Sequence, residues 1–235
     1  MAKSQKRQVV LKLSGRVFSN LSSLRQITNS AVQSVAVKLA AAHEIARLAV
    51  VVGGGNHSDM DLASGCNQIT ADHIGMLATV MNVLTLRDSL QENEVPTVAM
   101  SGFPVPSAME TYSCDRARRV LARGEILLLA GGLGQIGFST DTAAVVRARE
   151  LGADFVFKGT TVAGVFNADP KHDPNARLIE QLSCHDFLSR GLHVILDRSA
   201  VVLAERFRLP IRVFDFREPF QSVIAGDSIG TLVHP

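Results

Sequence analysis

Apolar positions along the chain follow two rhythms, and the change from one to the other marks out the elements. Short runs rich in apolar and β-branched residues at 9–13, 49–52, 95–100, 126–130, 154–158 and 211–216 have the length of buried strands. Between them, apolar residues recur at helical spacing over 30–48 (Val32, Val35, Leu39, Ala42, Ile45, Ala46), 71–91, 115–123, 183–190, 197–207 and 221–225. Segment 71–91 is apolar on several faces and free of proline, which predicts a largely buried helix. Gly124 and Gly191 stop two of the helices and Pro210 follows a third. Strands alternate with helices throughout. This order predicts an α/β fold with a mostly parallel sheet covered on both faces. With no repeat or linker in 235 residues, one domain over 1–235 is expected.

Two glycine loops change the picture from fold to chemistry. Gly53-Gly54-Gly55-Asn56 and Gly131-Gly132-Leu133-Gly134 each follow an apolar run, at the strand end where open α/β sheets bind ligands. The second loop leads through Ser139-Thr140-Asp141 into a helical pattern, an order that presents backbone N–H groups to a phosphate. Neither loop has the spacing GxxxxGK[ST] or GxGxxG. Lys12 interrupts a strand just before Ser14-Gly15. It either leaves an edge strand for solvent or neutralises an anion in a ligand site. Asp141 and Asp197 each stand at a helix start, where an acid caps the first turn; beside Lys12, Asp141 would also orient the lysine. Lys158 ends a strand and either contacts a phosphate or snorkels to solvent. Asn167-Ala168-Asp169-Pro170 is turn chemistry.

Composition narrows the partners. Hydrophobic residues make up 46% of the chain and charged ones 20%, enough for a substantial core. Aromatics are 5%, with no Trp and the single Tyr112, which argues against a stacking platform for single-stranded nucleic acid. The net charge is +2. The basic groups at Arg116, Arg118, Arg119 and Arg123, and at Lys3, Lys6 and Arg7, read as solvated faces rather than a nucleic-acid track. Cys66, Cys114 and Cys184 form no CxxC and no disulfide framework. The histidines have no HxxxH or HExxH spacing, so no metal-ligand set is assigned; His73 reads as a core histidine. No run approaches the ~18 apolar residues of a membrane span, and Lys12 and Arg16 interrupt any leader core. The expectation is a reduced, cytoplasmic protein with no membrane or nucleic-acid partner.

Read in order, KLSG (12–15), VVGGGN (51–56), ADHIGMLATVMN (71–82), FSTDTAA (138–144), GVFNADPKHDPNA (164–176), LPIRVFDF (209–216) and GTLV (230–233) closely resemble the bacterial UMP kinase (uridylate kinase) family of the amino-acid kinase superfamily. The resemblance covers nearly the whole chain. It implies a three-layer α/β/α sandwich around a mostly parallel sheet, assembled as a homohexamer. The implied activity is transfer of the γ-phosphoryl of ATP to UMP to give UDP, with ATP and Mg2+ as cofactors and nucleotides as the partners. It further implies a catalytic set of Lys12, Asp141 and Asp197, with Asp141 orienting the lysine and the metal. ATP would meet Gly15, Gly55, Lys158, Thr160, Phe166 and Asp169. The acceptor would meet Gly54, Asp72, Gly132, Leu133, Gly134, Gln135, Phe138 and Thr140, with Asp72 on the ribose. Regulation by GTP or UTP belongs to the same resemblance.

The chain also departs from the family pattern. Asp59 stands where the family has an arginine three residues after the GGGN asparagine, and Arg16 where it has glutamate. Leu133 replaces a hydroxyl expected near the base, and the Pro-Phe pair of the acceptor loop is missing. Segment 158–165 lacks its second lysine and its acid. These changes leave two alternatives beside UMP kinase: a kinase for another small phosphate or carboxylate, and a non-catalytic nucleotide- or anion-binding assembly.

Overall fold

The computed structural model describes residues 6–20, 23–58, 65–168, 172–192 and 195–235. Lys3, Asp59, Asp169 and Pro170, singled out above, lie outside the described residues. In chain order the strands are β1 (Arg7–Leu13), β2 (Ser19–Asn20), β3 (Ser23–Ile27), β4 (Ala46–Val52), β5 (Thr97–Ser101), β6 (Glu110–Thr111), β7 (Ile126–Ala130), β8 (Phe155–Thr160), β9 (Gln181–Ser183), β10 (Ile211–Asp215) and β11 (Thr231–His234). The helices are α1 (Asn29–His43), α2 (Gly55–Ser58), α3 (Gln68–Glu92), α4 (Cys114–Ala122), α5 (Thr140–Leu151), α6 (Cys184–Ser189), α7 (Arg198–Phe207) and α8 (Phe220–Ala225).

From Val9 onward β1 is buried on both faces, and a strand without a wet face needs helices on each side. Val9, Leu11 and Leu13 join one core layer with residues of α1, α3 and α8. Val10 joins the other, made with α4, α5, α6 and α7. The three-layer α/β/α arrangement follows from this alternation. Nine strands run in the order β6-β5-β7-β4-β1-β8-β10-β11-β9. Every neighbouring pair is parallel except β10 with β11.

The order of strands decides where a ligand can bind. β1 lies between β4, its successor in the sheet, and β8, which follows much later. The chain leaving β1 turns to the β4 side, whereas the chain leaving β8 turns to the β10 side. Such a divergence opens a crevice at the carboxyl ends of the two strands.

Two of the expected elements differ in extent, and β2, β3, β6, β9, β11 and α2 were not expected from the pattern. The helix expected over 30–48 ends at His43 with Glu44 as its C-cap, and β4 begins at Ala46. Ile45 and Ala46 continued the helical spacing only because the next strand is apolar at every position but Arg47. The helix expected over 71–91 spans Gln68–Glu92, but its buried residues begin only at Ala78. Ile69 (54%), Leu77 (52%) and Met81 (47%) are exposed. By length and mean hydropathy, 1.3, α3 meets the measure of a membrane-crossing helix. Asp72, His73 and Asn82 break its apolar sequence, and its second half packs on the sheet.

Candidate active site

Parallel pairing sets Lys12 of β1 directly beside Lys158 of β8. The two-residue alternation turns both toward the layer that holds Val10, Val156 and α5. The side chain of Ser139 caps α5, accepting a hydrogen bond from Thr142 N at 3.2 Å, so Asp141 occupies the helix's first turn. α5 packs on β1 and β8, and Asp141 falls between the two lysines. Lys12 Nζ lies 2.8 Å from Asp141 Oδ1. Lys158 Nζ donates to Asp141 Oδ2 and to the Ile195 carbonyl. All three side chains are buried. β1 is an inner strand, so the edge-strand alternative for Lys12 is removed.

The electrostatics follow from two cations around one anion. Burial works to raise the Asp141 pKa, but the charges of Lys12 and Lys158 outweigh it and hold the carboxyl well below its usual range. Burial pushes Lys158 down to about 8, against the pull of Asp141 and with the help of Lys12. An unfolded lysine holds its proton up to the ordinary 10.5. Between these values the unfolded chain binds more protons, so Lys158's own contribution to stability rises with pH while the site loses a cation. We predict that kcat falls as pH rises through about 8, and that Lys158→Met, which fills the same buried slot with no proton to lose, has a lower kcat and no such fall. Profiles of kcat from about pH 6 to about pH 10 for both proteins check it. An identical alkaline limb in the two would refute the assignment.

Asp197 turns out to be a brace. As N-cap of α7 it accepts from Ser199 N at 3.2 Å through Oδ1. Its Oδ2 accepts from Ser139 Oγ at 2.7 Å and from Thr142 Oγ1 at 2.6 Å. Its own N–H donates to Asp141 Oδ2 at 3.3 Å. The carboxylate therefore locks the start of α5 to α7, the backbone N–H touches Asp141, and the carboxylate charge also acts on Lys158.

Helix α3 pins both glycine loops. Asn56 and Asn82 exchange amide hydrogen bonds of 2.9 and 2.8 Å, and Asn82 Nδ2 also donates to the Gly53 carbonyl at 2.8 Å. A Cβ on Gly15 would lie 2.4 Å from Asn56 Oδ1, so only glycine lets the loop after β1 meet this pair. On the second loop, Gly131 N donates to Thr79 Oγ1 at 2.6 Å. Sequence reasoning took Asp72 from this helix and missed Asn56, Thr79 and Asn82. The signal was there, since an amide within an apolar helix needs a partner. Asn82→Ala strands the Asn56 amide and should cost about 1–3 kcal/mol, read as a lower urea midpoint. An unchanged midpoint would show that the pair is dispensable.

Between α3 and the second loop opens a cleft of about 440 Å³. Gly54, Gly55, Asp72, Gly132, Gln135, Phe138 and Thr140, all named from the sequence, line it. Asp72 crosses its mouth, accepting from Gln68 Nε2 at 2.8 Å and from Gly137 N at 2.7 Å. These two bonds, Gly137 first, lower its pKa. Leu133 does not line the cleft; it packs against the α5 core layer. Gly134 turns away to meet the Gly102 carbonyl. Among the described lining residues there is no lysine or arginine. On the opposite side Thr160 ends β8, its carbonyl accepting from Phe216 N at 2.8 Å. Phe166 bridges to Leu178 in the segment that follows.

Comparison with known proteins agrees with this geometry. The profile of the amino acid kinase family matches residues 7–215. The uridylate kinase of Bradyrhizobium sp. (strain ORS 278) is 41% identical, with 99% of each chain covered. That of Legionella pneumophila (strain Lens) is 36% identical over 97% of this chain and 93% of its own. Among solved structures, the UMP kinase from Bacillus anthracis superposes with a TM-score of 0.91 at 30% identity, covering 97% of this chain and 96% of that one. Matched along nearly its whole length in both sequence and fold, the chain belongs to the amino acid kinase family, on its uridylate kinase branch.

Proposed function

We propose that the chain transfers the γ-phosphoryl group of ATP to UMP, giving UDP. The observation that carries this reading is the Lys12–Asp141–Lys158 cluster at the ends of β1 and β8, beside a cleft walled by two glycine loops. Phosphoryl transfer needs no covalent nucleophile from the protein. It needs the two substrates in line and the charge on the moving group compensated. Asp141 holds Lys12 and Lys158 in fixed directions, so neither ammonium has to reorganise as charge shifts between donor and acceptor oxygens. The uridylate kinases among the relatives make UMP the first acceptor to try.

A divalent ion fits this site as part of the nucleotide complex. Among the described residues no group of three or more His, Cys, Asp or Glu side chains is placed to hold a metal, and Asp141 is committed to two lysines. Mg2+ is bound in such sites through substrate phosphates, water and one or two carboxylates. Bound with ATP, it would neutralise phosphate charge. We further propose a homo-oligomer. Ile69, Leu77 and Met81 form an exposed apolar stripe on α3, the kind of face a second copy covers. Sedimentation of the purified chain reads the assembly directly.

ADP release with Mg-ATP against UMP, CMP, dUMP and TMP tests the reaction. Turnover on UMP supports the reading. Turnover only on another small phosphate or carboxylate would follow from the inward-turned Leu133 and the cation-free described cleft lining, and would replace the acceptor. ATP binding without transfer to any of them would leave a nucleotide-binding assembly.

A further inference from the structure

Arg147 is buried, 7% exposed, on α5 behind the cleft wall. Its guanidinium stacks 3.6 Å above the ring centroid of Tyr112. Nη1 donates to Glu150 Oε2 at 2.7 Å, and the Tyr112 hydroxyl donates to the same oxygen at 2.8 Å. Nη2 reaches the Gly132 carbonyl at 3.4 Å. Nε is buried with no hydrogen-bond partner among the described residues. A side chain kept for stability alone would serve as well or better as an apolar residue of similar size. The unpaired donor points to a task that requires a guanidinium.

That task is written into the loop it touches. Gly131 and Gly132 adopt successive positive φ values of 69° and 57°, which only glycine takes without cost, and glycine supplies no stiffness of its own. The loop's shape must therefore come from contacts outside it. Thr79 of α3 takes the Gly131 N–H, and Arg147 takes the Gly132 carbonyl. From a third side Gly102 presses close: a Cβ there would lie 2.7 Å from Gly132 O and 2.8 Å from Gly134 N. Tyr112, under the guanidinium, is tied by its N–H to the Ser101 carbonyl at 2.8 Å, so the segment carrying Gly102 belongs to the same support.

We propose that Arg147 is a positioning residue for the acceptor: by holding the Gly132 carbonyl it sets the shape of the glycine loop along the cleft, and with it acceptor affinity. This rests on the phosphotransferase reading above. Arg147→Lys keeps the charge but loses the planar fork that serves Glu150 and Gly132 together. It should raise the acceptor KM about tenfold, as expected for losing one charge-assisted hydrogen bond, and leave the ATP KM within about twofold. Arg118→Ala is the control, since Arg118 supports the same helix end through the Glu150 carbonyl and has no contact with Gly132; both KM values should stay put. If Arg147→Lys does not fold, Gly102→Ala pushes the same carbonyl from the other side and should raise the acceptor KM selectively. Unchanged acceptor KM, or equal rises for acceptor and ATP, would overturn the proposal. Should the wild-type chain turn over no monophosphate, the phosphotransferase reading fails first. Hydrogen exchange of the amides at 131–137 then still reports the clamp: faster exchange in Arg147→Lys supports it and unchanged exchange removes it.

Discussion

Lys12→Ala should lower kcat by roughly 10²–10³-fold, the usual cost of removing one preorganised group that stabilises transition-state charge. The ATP KM should change little. The fold should survive, because Asp141 keeps Lys158 on Oδ2 and the Asp197 N–H beside it. What goes is the ammonium 2.8 Å from Asp141 Oδ1, at the end of β1 where the loops from β1 and β4 meet. Lys12→Arg should recover little, since a planar, longer head cannot occupy a buried slot shaped for an ammonium between Asp141 and the sheet. Steady-state rates beside melting curves for the three proteins provide the test. A Lys12→Ala protein retaining more than about a tenth of wild-type kcat would remove the lysine from the transition state. A protein that bound ATP equally well in both forms and transferred nothing in either would place the chain among binding assemblies.

The two lysines show which parts of this site the sequence discloses. Each is legible alone, because a charge inside an apolar strand demands a partner. Their pairing is not legible: the register that sets Lys12 beside Lys158 depends on a crossover that begins at β1, travels through β4, β5 and β7, and returns to the other side of β1. Local pattern carries no record of that return. For the same reason Asp141 could be recognised as a helix-start acid but not as the common counterion of two lysines. Asp197 was assigned with the catalytic residues, and only the contacts of its Oδ2 with Ser139 and Thr142 reveal a brace between two helices. At the fold level, strands apolar on both faces were easy to find and hard to bound, as the merging of α1 with β4 shows. Leu133 illustrates the opposite limit. The resemblance put it among the acceptor contacts, yet a leucine beside a core layer gains more from burial than from lining an open cleft, and it turned inward.

Asp141→Asn should abolish most turnover and destabilise the fold, by a margin that depends on pH in two directions. The substitution keeps the shape and an acceptor oxygen but leaves two buried ammonium groups facing each other across a neutral side chain. Breaking a buried pair in this way costs roughly 3–5 kcal/mol, and the ability of Lys158 to release its proton limits the cost. In the wild-type protein the depressed pKa of Asp141 contributes stability that is fully present above the unfolded carboxyl value of 3.8. That contribution is lost progressively as pH falls from there toward the lower folded value. The difference between wild type and variant should therefore shrink on acidification. It should shrink again toward alkaline pH and level off above about 8, because Lys158, without the pull of Asp141, gives up its proton at a lower pH in the variant than in the wild type. Urea denaturation of both proteins at a series of pH values traces the curve, which should be widest between these two limbs. A difference constant with pH would mean that the carboxylate acts by shape alone and that the two lysines are not held by its charge. The same charge that keeps two cations together in a dry site also fixes their positions at the strand ends, so stability and turnover should fall together in this variant, whereas Lys12→Ala separates them.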